Sequence, residues 1–504
     1  MARTMTLLIL LLAPAFAALA TIRVQVRYLK EVALTGTAVS LALSIVALLA
    51  VSRGAPLQTT ADWAPGAGLT FKLAADGVSA SLLLLNSGIG ALAILSTRPA
   101  RLRRPHLFIA MLLLAQSAAA GVLLAQDMVL FFIFWELVLV PFLVLIAVYG
   151  EGEREKAALK LLIYTSLGSL TMLVSIATLF VLSGSHSFQI ADLAVSRQAA
   201  FMGVSAAHLV FLGFAFAFAI KTPLFPFHGW MAEAYTACPT PALMVLAGVV
   251  AKLGPYGFYR VAIRLEPGAA RDLSGILMTL AAVGIVYGAL LALRQHDAKR
   301  TVVYLSLSHM CFITLGIVSL TPAGLAGGSI QMINHGVLIT SLFFIVAHIE
   351  ARVGTRDRSQ LAGLAASAPV FTGIFLLLSL ATLGLPGLNG FVGEYLIMAG
   401  AYTRSWPILL LSAVGVVLAS WYMLRFYQGV MSGSPLVAVE GQGEGESVEQ
   451  QVAESRHLEL RSDELRVLVP LAVAAVLIGV FPAPLASIVD QGVAPLTRLV
   501  AGGG

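Results

Sequence analysis

Four ionisable residues lie inside stretches that are otherwise almost wholly apolar. Glu136 stands in DMVLFFIFWELVLVPFLVLI, Lys221 ends HLVFLGFAFAFAIK, Lys252 stands in PTPALMVLAGVVAKLGPYGFY and Glu394 in LATLGLPGLNGFVGEYLIM. A charge on a helix at the middle of a bilayer costs at least about 2.5–3.5 kcal/mol. Such a residue is retained where it pairs, draws in water or carries an ion. A static Glu136–Lys221 pair joining two helices would contribute little net stability. The sharper expectation is a switch: the proton stays on Lys221 while the carboxylate is close, and leaves when the carboxylate is drawn away.

Helix breakers accompany two of these charges. Pro223 and Pro226 follow Lys221 at once, and Leu385-Pro386-Gly387-Leu388-Asn389-Gly390 precedes Glu394. Proline lacks an amide hydrogen and clashes with the preceding turn, so each run is expected to open its helix. Carbonyls freed at the first break are expected to hydrate or to bind a cation, which a membrane tolerates only around a protein-enclosed cavity. Two breaks, each beside an ionisable residue, argue for an ion site over a packing kink with an incidental charge.

Histidines extend the set. His309 in SLSHM and His335 in MINHGVLITS fall between Lys252 and Glu394 in chain order. Imidazole exchanges its proton near neutral pH, so both are expected to relay protons through water. Ser306, Ser308, Thr340 and Ser341 are expected to help hold that water. His228, just past the first break, is a candidate relay, whereas His348 is expected only to hydrogen-bond a neighbour. There is no Walker loop, dinucleotide fingerprint, cysteine cluster or nucleophile elbow. No metal or cofactor site is therefore expected in this chain, and its driving energy must come from an ion gradient or a partner.

The elements that must position these residues are legible in the composition. Of 504 residues, 59% are hydrophobic and only 11% charged, far below the quarter usual in soluble domains. Apolar runs of about 20 residues recur along the chain, which predicts an all-α polytopic membrane protein. About fourteen spans are expected, near 5–22, 31–52, 75–96, 106–126, 128–149, 157–183, 204–235, 240–264, 272–294, 300–320, 326–352, 367–400, 406–431 and 463–482. The net charge of +6 then describes loops at an anionic membrane surface and is no argument for nucleic acid. Cys238 and Cys311 form neither a disulfide framework nor a metal set.

Orientation follows from lysine and arginine. The first connection carries Arg23, Arg27 and Lys30, the third Arg98, Arg101, Arg103 and Arg104, the ninth Arg294, Lys299 and Arg300, and the eleventh Arg352, Arg356 and Arg358. Odd connections are expected to be cytoplasmic and both termini outside, with Arg260, Arg264 and Arg271 of the eighth as the exception. The N-terminal run resembles a secretory signal, but cleavage would leave Arg23, Arg27 and Lys30 outside, so an uncleaved helix is expected.

Spans four to eight and nine to thirteen form two five-helix blocks, and the broken helix is fourth in each. Five is odd, so the second block must run the opposite way, as in inverted repeats. The expected organisation is residues 1–105 for helices one to three, 106–265 for the first repeat and 266–431 for the second. The polar, acidic tract 432–462 is expected to be a cytoplasmic loop, and 463–504 the last span and a tail.

These residues resemble a known family, the antiporter-like membrane subunits of respiratory complex I (NADH:quinone oxidoreductase), with relatives in Mrp-type antiporters and membrane-bound hydrogenases. The matching motifs are FKLAADGVS (71–79), WELVLVPFLVLIAVYG, REKAALKLLIYTSLGSL (154–170), KTPLFPFHGWMAEAYTACPTPALMVLAGVVAKLGPYGFYR, SLSHM, MINHG and GLPGLNGFVGEY, covering about residues 65–430. The resemblance implies that Glu136 and Lys221 form the fifth- and seventh-helix pair, Lys252 is the central lysine and Glu394 the twelfth-helix site. A glutamate there resembles the M-type paralogue, since the L- and N-types usually carry lysine. The chain departs from the family at Trp230-Met231-Ala232-Glu233-Ala234-Tyr235, where Trp-Leu-Pro-Asp-Ala-His is usual.

The resemblance implies a proton-translocating membrane-arm subunit in a bacterial plasma membrane. It would sit beside L-type and N-type chains and an NADH-oxidising peripheral arm, with FMN, iron–sulfur clusters and quinone in those partners. An Mrp-type sodium/proton antiporter subunit, a hydrogenase-type subunit and a structural spacer are the alternatives. Paired intramembrane charges argue against the spacer.

Overall fold

A membrane interior offers no water to unpaired backbone groups, so apolar runs of this length must close their hydrogen bonds within helices. The computed structural model describes residues 2–55, 57–193, 200–201, 204–432 and 459–502, and the chain is mostly helical. Each of the expected apolar segments holds a helix. Among the described residues, ten helices are long and apolar enough to cross a membrane, or up to eleven counting one bent pair. Met5–Thr21, Ala206–Lys221 and Pro369–Thr382 are shorter apolar helices. Several helices start on side-chain caps. Asp76 accepts from Ser79 N, Asp127 from Val129 N and Leu130 N, Asp297 from Arg300 N, and Thr321 from Gly324 N.

Burial is graded across the bundle. The most apolar stretch of Thr240–Leu265 is entirely enclosed by protein, and Ala298–Val318 and Pro322–Val353 are nearly so. Trp406–Met431 has only 22% of its stretch buried and, like Arg154–Ser183, shows solvent-side leucines and valines such as Val174, Val181 and Val417. An apolar face that size belongs against lipid. The inner helices are the ones that carry the lysines and histidines.

Both expected breaks are present. The seventh segment stops at Lys221 and resumes as Met231–Ala237; the twelfth stops at Thr382 and resumes as Asn389–Arg404. Two further interruptions were not expected. The eighth segment is Thr240–Gly248, a 3₁₀ turn Val250–Lys252, Leu253–Gly257, a π turn Phe258–Ala262 and Ile263–Leu265. Pro255 has no amide hydrogen for the carbonyl of Ala251, which is why the helix tightens there. The fifth segment is divided at Val138 into Met128–Leu137 and Leu139–Tyr149, and Pro141 leaves the Leu137 carbonyl without its helical donor in the same way.

Within the mostly helical chain two features were not expected. One is a short hairpin, in which Leu57–Ala64 pairs antiparallel with Leu69–Ala75, Thr60 opposite Lys72. Pro65, Gly66 and Gly68 (φ 72°) turn that hairpin, and only glycine accepts the left-handed value cheaply. Residues 483–504 are more than a tail, because Ala483–Ala501 is a helix bent 77° from Ser462–Val480 across Phe481 and Pro482. Tyr259 Oη donates to Gly492 O at 2.7 Å and Arg271 to Val500 O at 2.9 Å, which binds that helix to the bundle. Of the acidic tract, 433–458 lies outside the described residues.

Charged connections gather by end. Arg98 meets Asp463 at 2.8 Å, Arg352 meets Glu464 at 2.7 Å and Arg356 meets Glu151 at 3.0 Å, all from odd connections. Arg260, the exception to the charge rule, is paired with Asp76 of an even connection at 2.6 Å. That pairing gives one of the three arginines of this connection a counter-charge.

Candidate functional site

The first break places Lys221 on the last turn of Ala206–Lys221, 6% exposed, with its Nζ 4.8 Å from the centre of the Trp135 ring. This is a cation–π contact in a desolvated setting, where such contacts are strongest. Glu136, the next residue after Trp135, accepts a hydrogen bond from Ser169 Oγ. Glu136 and Lys221 lie on neighbouring elements but close no ion pair in this structure, so Trp135 rather than the carboxylate touches the ammonium. A cavity of about 10 Å³ lined by Thr165, Lys221 and Trp230 is at the lower limit for one water molecule.

Three carbonyls at this break, where a cation or hydration site was expected, are met by the chain's own donors. Phe218 O accepts from Thr222 N at 2.8 Å and Thr222 Oγ1 at 2.6 Å, Ala219 O from Leu224 N at 2.8 Å, and Ile220 O from Trp230 Nε1 at 2.9 Å. The reason is local: the reversed chain carries Thr222 and Trp230 back over the helix end. Pro223 and Pro226, the latter after a cis bond, lie within that reversal.

Lys252 is 1% exposed and donates to Ala247 O from within the interrupted eighth segment. Gly254 and Gly257 bring this segment against Thr222 and Phe218, so the two lysine-bearing segments pack closely. Lys252 is also near enough to interact electrostatically with His309 and His335. The two imidazoles stack with centres 5.6 Å apart. Neither ring nitrogen of His335 has a protein partner, although the residue is buried. Buried polar atoms without protein partners are characteristically met by ordered water.

His309 Nδ1 lies 4.0 Å from Glu394 Oε1. Glu394 is 8% exposed and accepts from Gln331 Nε2 at 3.5 Å. A cavity of about 20 Å³, room for one water, is lined by Ser308, His309, Thr382 and Glu394. Asn334 Nδ2 donates to Asn389 O at 2.6 Å and ties the second break to Pro322–Val353. Gly384 (φ 69°) sits directly over the Glu394 carboxylate, where a Cβ would collide with Oε2.

The structure thus brings Lys252, His335, His309 and Glu394 into one buried line, and sets Lys221 beside its start. The helix breaks at Pro386, Gly387 and Gly390 position its far end, as Pro223 and Pro226 do for Lys221. His228 is apart from the line, packed against Phe225 and Tyr287 with ring centres 5.8 and 5.1 Å away. Of the expected water-holding hydroxyls, Ser308, Thr340 and Ser341 bond to backbone carbonyls, and Ser306 Oγ has no protein partner. His348 Nδ1 lies 3.4 Å from Glu464 Oε2. Trp135, Ser169, Gln331, Asn334 and Gly384 were missed. QMINH carried a usable signal, since Gln331, Asn334 and His335 recur at helical spacing on one face.

The profile of the family described as "NADH:quinone oxidoreductase/Mrp antiporter, TM" matches residues 125–419, which contain every residue of this line. NADH-quinone oxidoreductase subunit M of Rhodobacter capsulatus is 33% identical over 481 residues, covering 94% of this chain and 91% of that one. NAD(P)H-quinone oxidoreductase chain 4 2 of Thermosynechococcus vestitus is 36% identical over 381 residues, 74% of this chain and 70% of its own. Among solved structures, a chain of respiratory complex I from Thermus thermophilus with bound NADH superposes with a TM-score of 0.84 at 31% identity, covering 99% of this chain and 100% of that one. A chain of the Mrp complex from Dietzia sp. superposes with a TM-score of 0.82 at 21% identity, covering 99% and 97%, which shows a common fold.

Proposed function

Because this chain belongs to the NADH:quinone oxidoreductase/Mrp antiporter transmembrane family, we propose that it is the M-type, proton-translocating membrane-arm subunit of an NADH:quinone oxidoreductase. Protons enter by a cytoplasmic half-channel at Lys221 and Lys252. They pass along His335 and His309 to Glu394 and leave on the other side. Glu136 and Lys221 receive the electrostatic signal from a neighbouring subunit, with Ser169 and Trp135 holding each in its resting position. The observation that carries this reading is the buried line itself. Imidazoles 5.6 Å apart, a carboxylate 4.0 Å from one of them and partnerless nitrogens on the other form a chain that single waters complete.

In this reading the blocks 106–265 and 266–431 are inverted repeats, and the chain spans a bacterial plasma membrane with both termini outside. Its neighbours are L-type and N-type chains. FMN, iron–sulfur clusters and quinone belong to the partner subunits, with the redox chemistry. Among the described residues no group of three or more His, Cys, Asp or Glu is gathered as a metal-ligand set.

The test is proton uptake by proteoliposomes carrying the purified complex. Lys221→Ala or Glu136→Ala should cut pumping and the quinone turnover coupled to it while the complex still assembles. Normal pumping by either variant would sink the mechanism.

A further inference from the structure

The largest cavity among those described lies away from the proton line, at the end of the bundle where the odd connections meet. It has a volume of about 690 Å³. Arg98, Arg101, Arg103, Arg104, Arg154 and Arg352 line it, against two carboxylates, Asp463 and Glu464. Those carboxylates are already engaged, by Arg98 at 2.8 Å and Arg352 at 2.7 Å. Among the described residues Arg101, Arg103, Arg104 and Arg154 form no ion pair. Four arginines therefore line one opening with no counter-charge among the described residues, Arg154 donating to Val148 O at 3.2 Å.

The arginine loop is held in place. Tyr149 Oη donates to Arg104 O at 2.7 Å, and the Tyr149 ring meets Phe108 edge-on with centres 5.0 Å apart. The cavity is also two-faced. Leu95, Leu102, Phe108, Val148 and Phe344 line it beside the arginines. It opens where Gly77–Ser96, Pro105–Leu124 and Leu139–Tyr149 have their ends, at the level a lipid headgroup occupies.

We propose that this cavity is a specific binding site for an anionic phospholipid, its phosphodiester held by Arg101, Arg103, Arg104 and Arg154 and its acyl chains along the Leu102–Phe108–Phe344 wall. Guanidinium is the group best shaped to grip phosphate oxygens in pairs. The apolar wall is what separates a lipid from a free anion, which would have no use for it. Occupancy would fix the connection carrying Arg98–Arg104 against Tyr149 and Arg352, joining the start of the chain to its last membrane helix.

The test is native mass spectrometry of the full chain, in the complex in which it is purified, exchanged into detergent with one phospholipid at a time. Phosphatidylglycerol should be retained at one per chain and phosphatidylcholine should not, and excess inorganic phosphate should fail to displace it. Each basic group near the surface contributes about fivefold, so R101Q/R103Q/R104Q together should lower retention roughly a hundredfold. Because that variant also alters the charges that orient the chain, Ala147→Trp serves as a second. It fills the apolar side, leaves every arginine, and should also expel the lipid. Equal retention in both variants, or equal retention of phosphatidylcholine, overturns the proposal. Displacement by phosphate overturns it in favour of a free-anion site. Retention that appears only when Glu440, Glu444, Glu446, Glu449 and Glu454 are replaced by Gln overturns it in favour of the chain's own acidic stretch, and retention by the isolated chain alone in favour of a partner subunit.

Discussion

The break after Lys221 is closed by the chain's own donors, whereas the break before Glu394 leaves its charge among polar side chains. At the first, Thr222, Leu224 and Trp230 take up three freed carbonyls, and an indole face covers the ammonium. At the second, Gln331, His309 and a glycine face the carboxylate, and Asn389 Oδ1 and Tyr422 Oη nearby in the fold have no protein partner. Both regions contain a helix broken by proline beside an ionisable group. The same sequence device thus serves two physical ends. One break covers its charge with protein groups. The other leaves polar atoms without protein partners beside its charge.

Glu394→Gln should separate the two most sharply. The amide keeps the volume and a partner for Gln331 but cannot carry a proton. Pumping should fall about a hundredfold, the lower end of what a positioned proton-transfer group contributes. Assembly and thermal stability of the purified complex should stay as in the wild type. A Gln variant that pumps normally would reduce the second break to a packing kink, and the contrast between the two regions would lose its functional meaning.

The sequence announced the charges and the proline breaks because intramembrane lysine, glutamate and proline are costly and therefore conspicuous. It was weaker on what surrounds them. That Trp230 reaches back to Ile220, or that Trp135 rather than Glu136 touches Lys221, depends on how the chain reverses after Pro223, which no residue spacing encodes. The interruption at Lys252 was legible in principle, from Pro255 and its missing amide hydrogen. The C-terminal helix Ala483–Ala501 carries Pro495, Gly492 and two charges, so it did not read as a membrane segment. It forms because tertiary anchors, Tyr259 and Arg271, hold it in place. The inverted repeats and the direction of proton movement are proposals that hydropathy and breaker position suggest.

Gly384→Ala sharpens the comparison from the second side. A Cβ there would meet the Glu394 carboxylate, and φ 69° is a conformation that alanine adopts only under strain. Strain of this kind costs about 1–3 kcal/mol. The carboxylate should be pushed from His309, so pumping should fall, and the strain should separately lower thermal stability. Proton uptake and thermal unfolding measured on the same preparation would show it. Lost stability with unchanged pumping would mean that the distance from His309 to Glu394 does not limit transfer.

Trp230→Phe should have the smallest effect and probes the closed break alone. It removes the indole N–H that satisfies Ile220 O, while the phenyl ring still covers part of the same surface. Leaving a buried acceptor without its donor costs about 1 kcal/mol at the lower end of the measured range. Thermal unfolding of the purified complex should shift down by about a degree at most, for about 1 kcal/mol spread over a large helical chain. Pumping should stay within about twofold, because the carbonyl is a structural acceptor here and the ammonium rests on Trp135. A strong loss of pumping without loss of stability would mean that water admitted at Ile220 short-circuits Lys221. The exclusion of water at the first break would then be part of the mechanism itself, and the difference between the two breaks would set where the proton stops and where it moves.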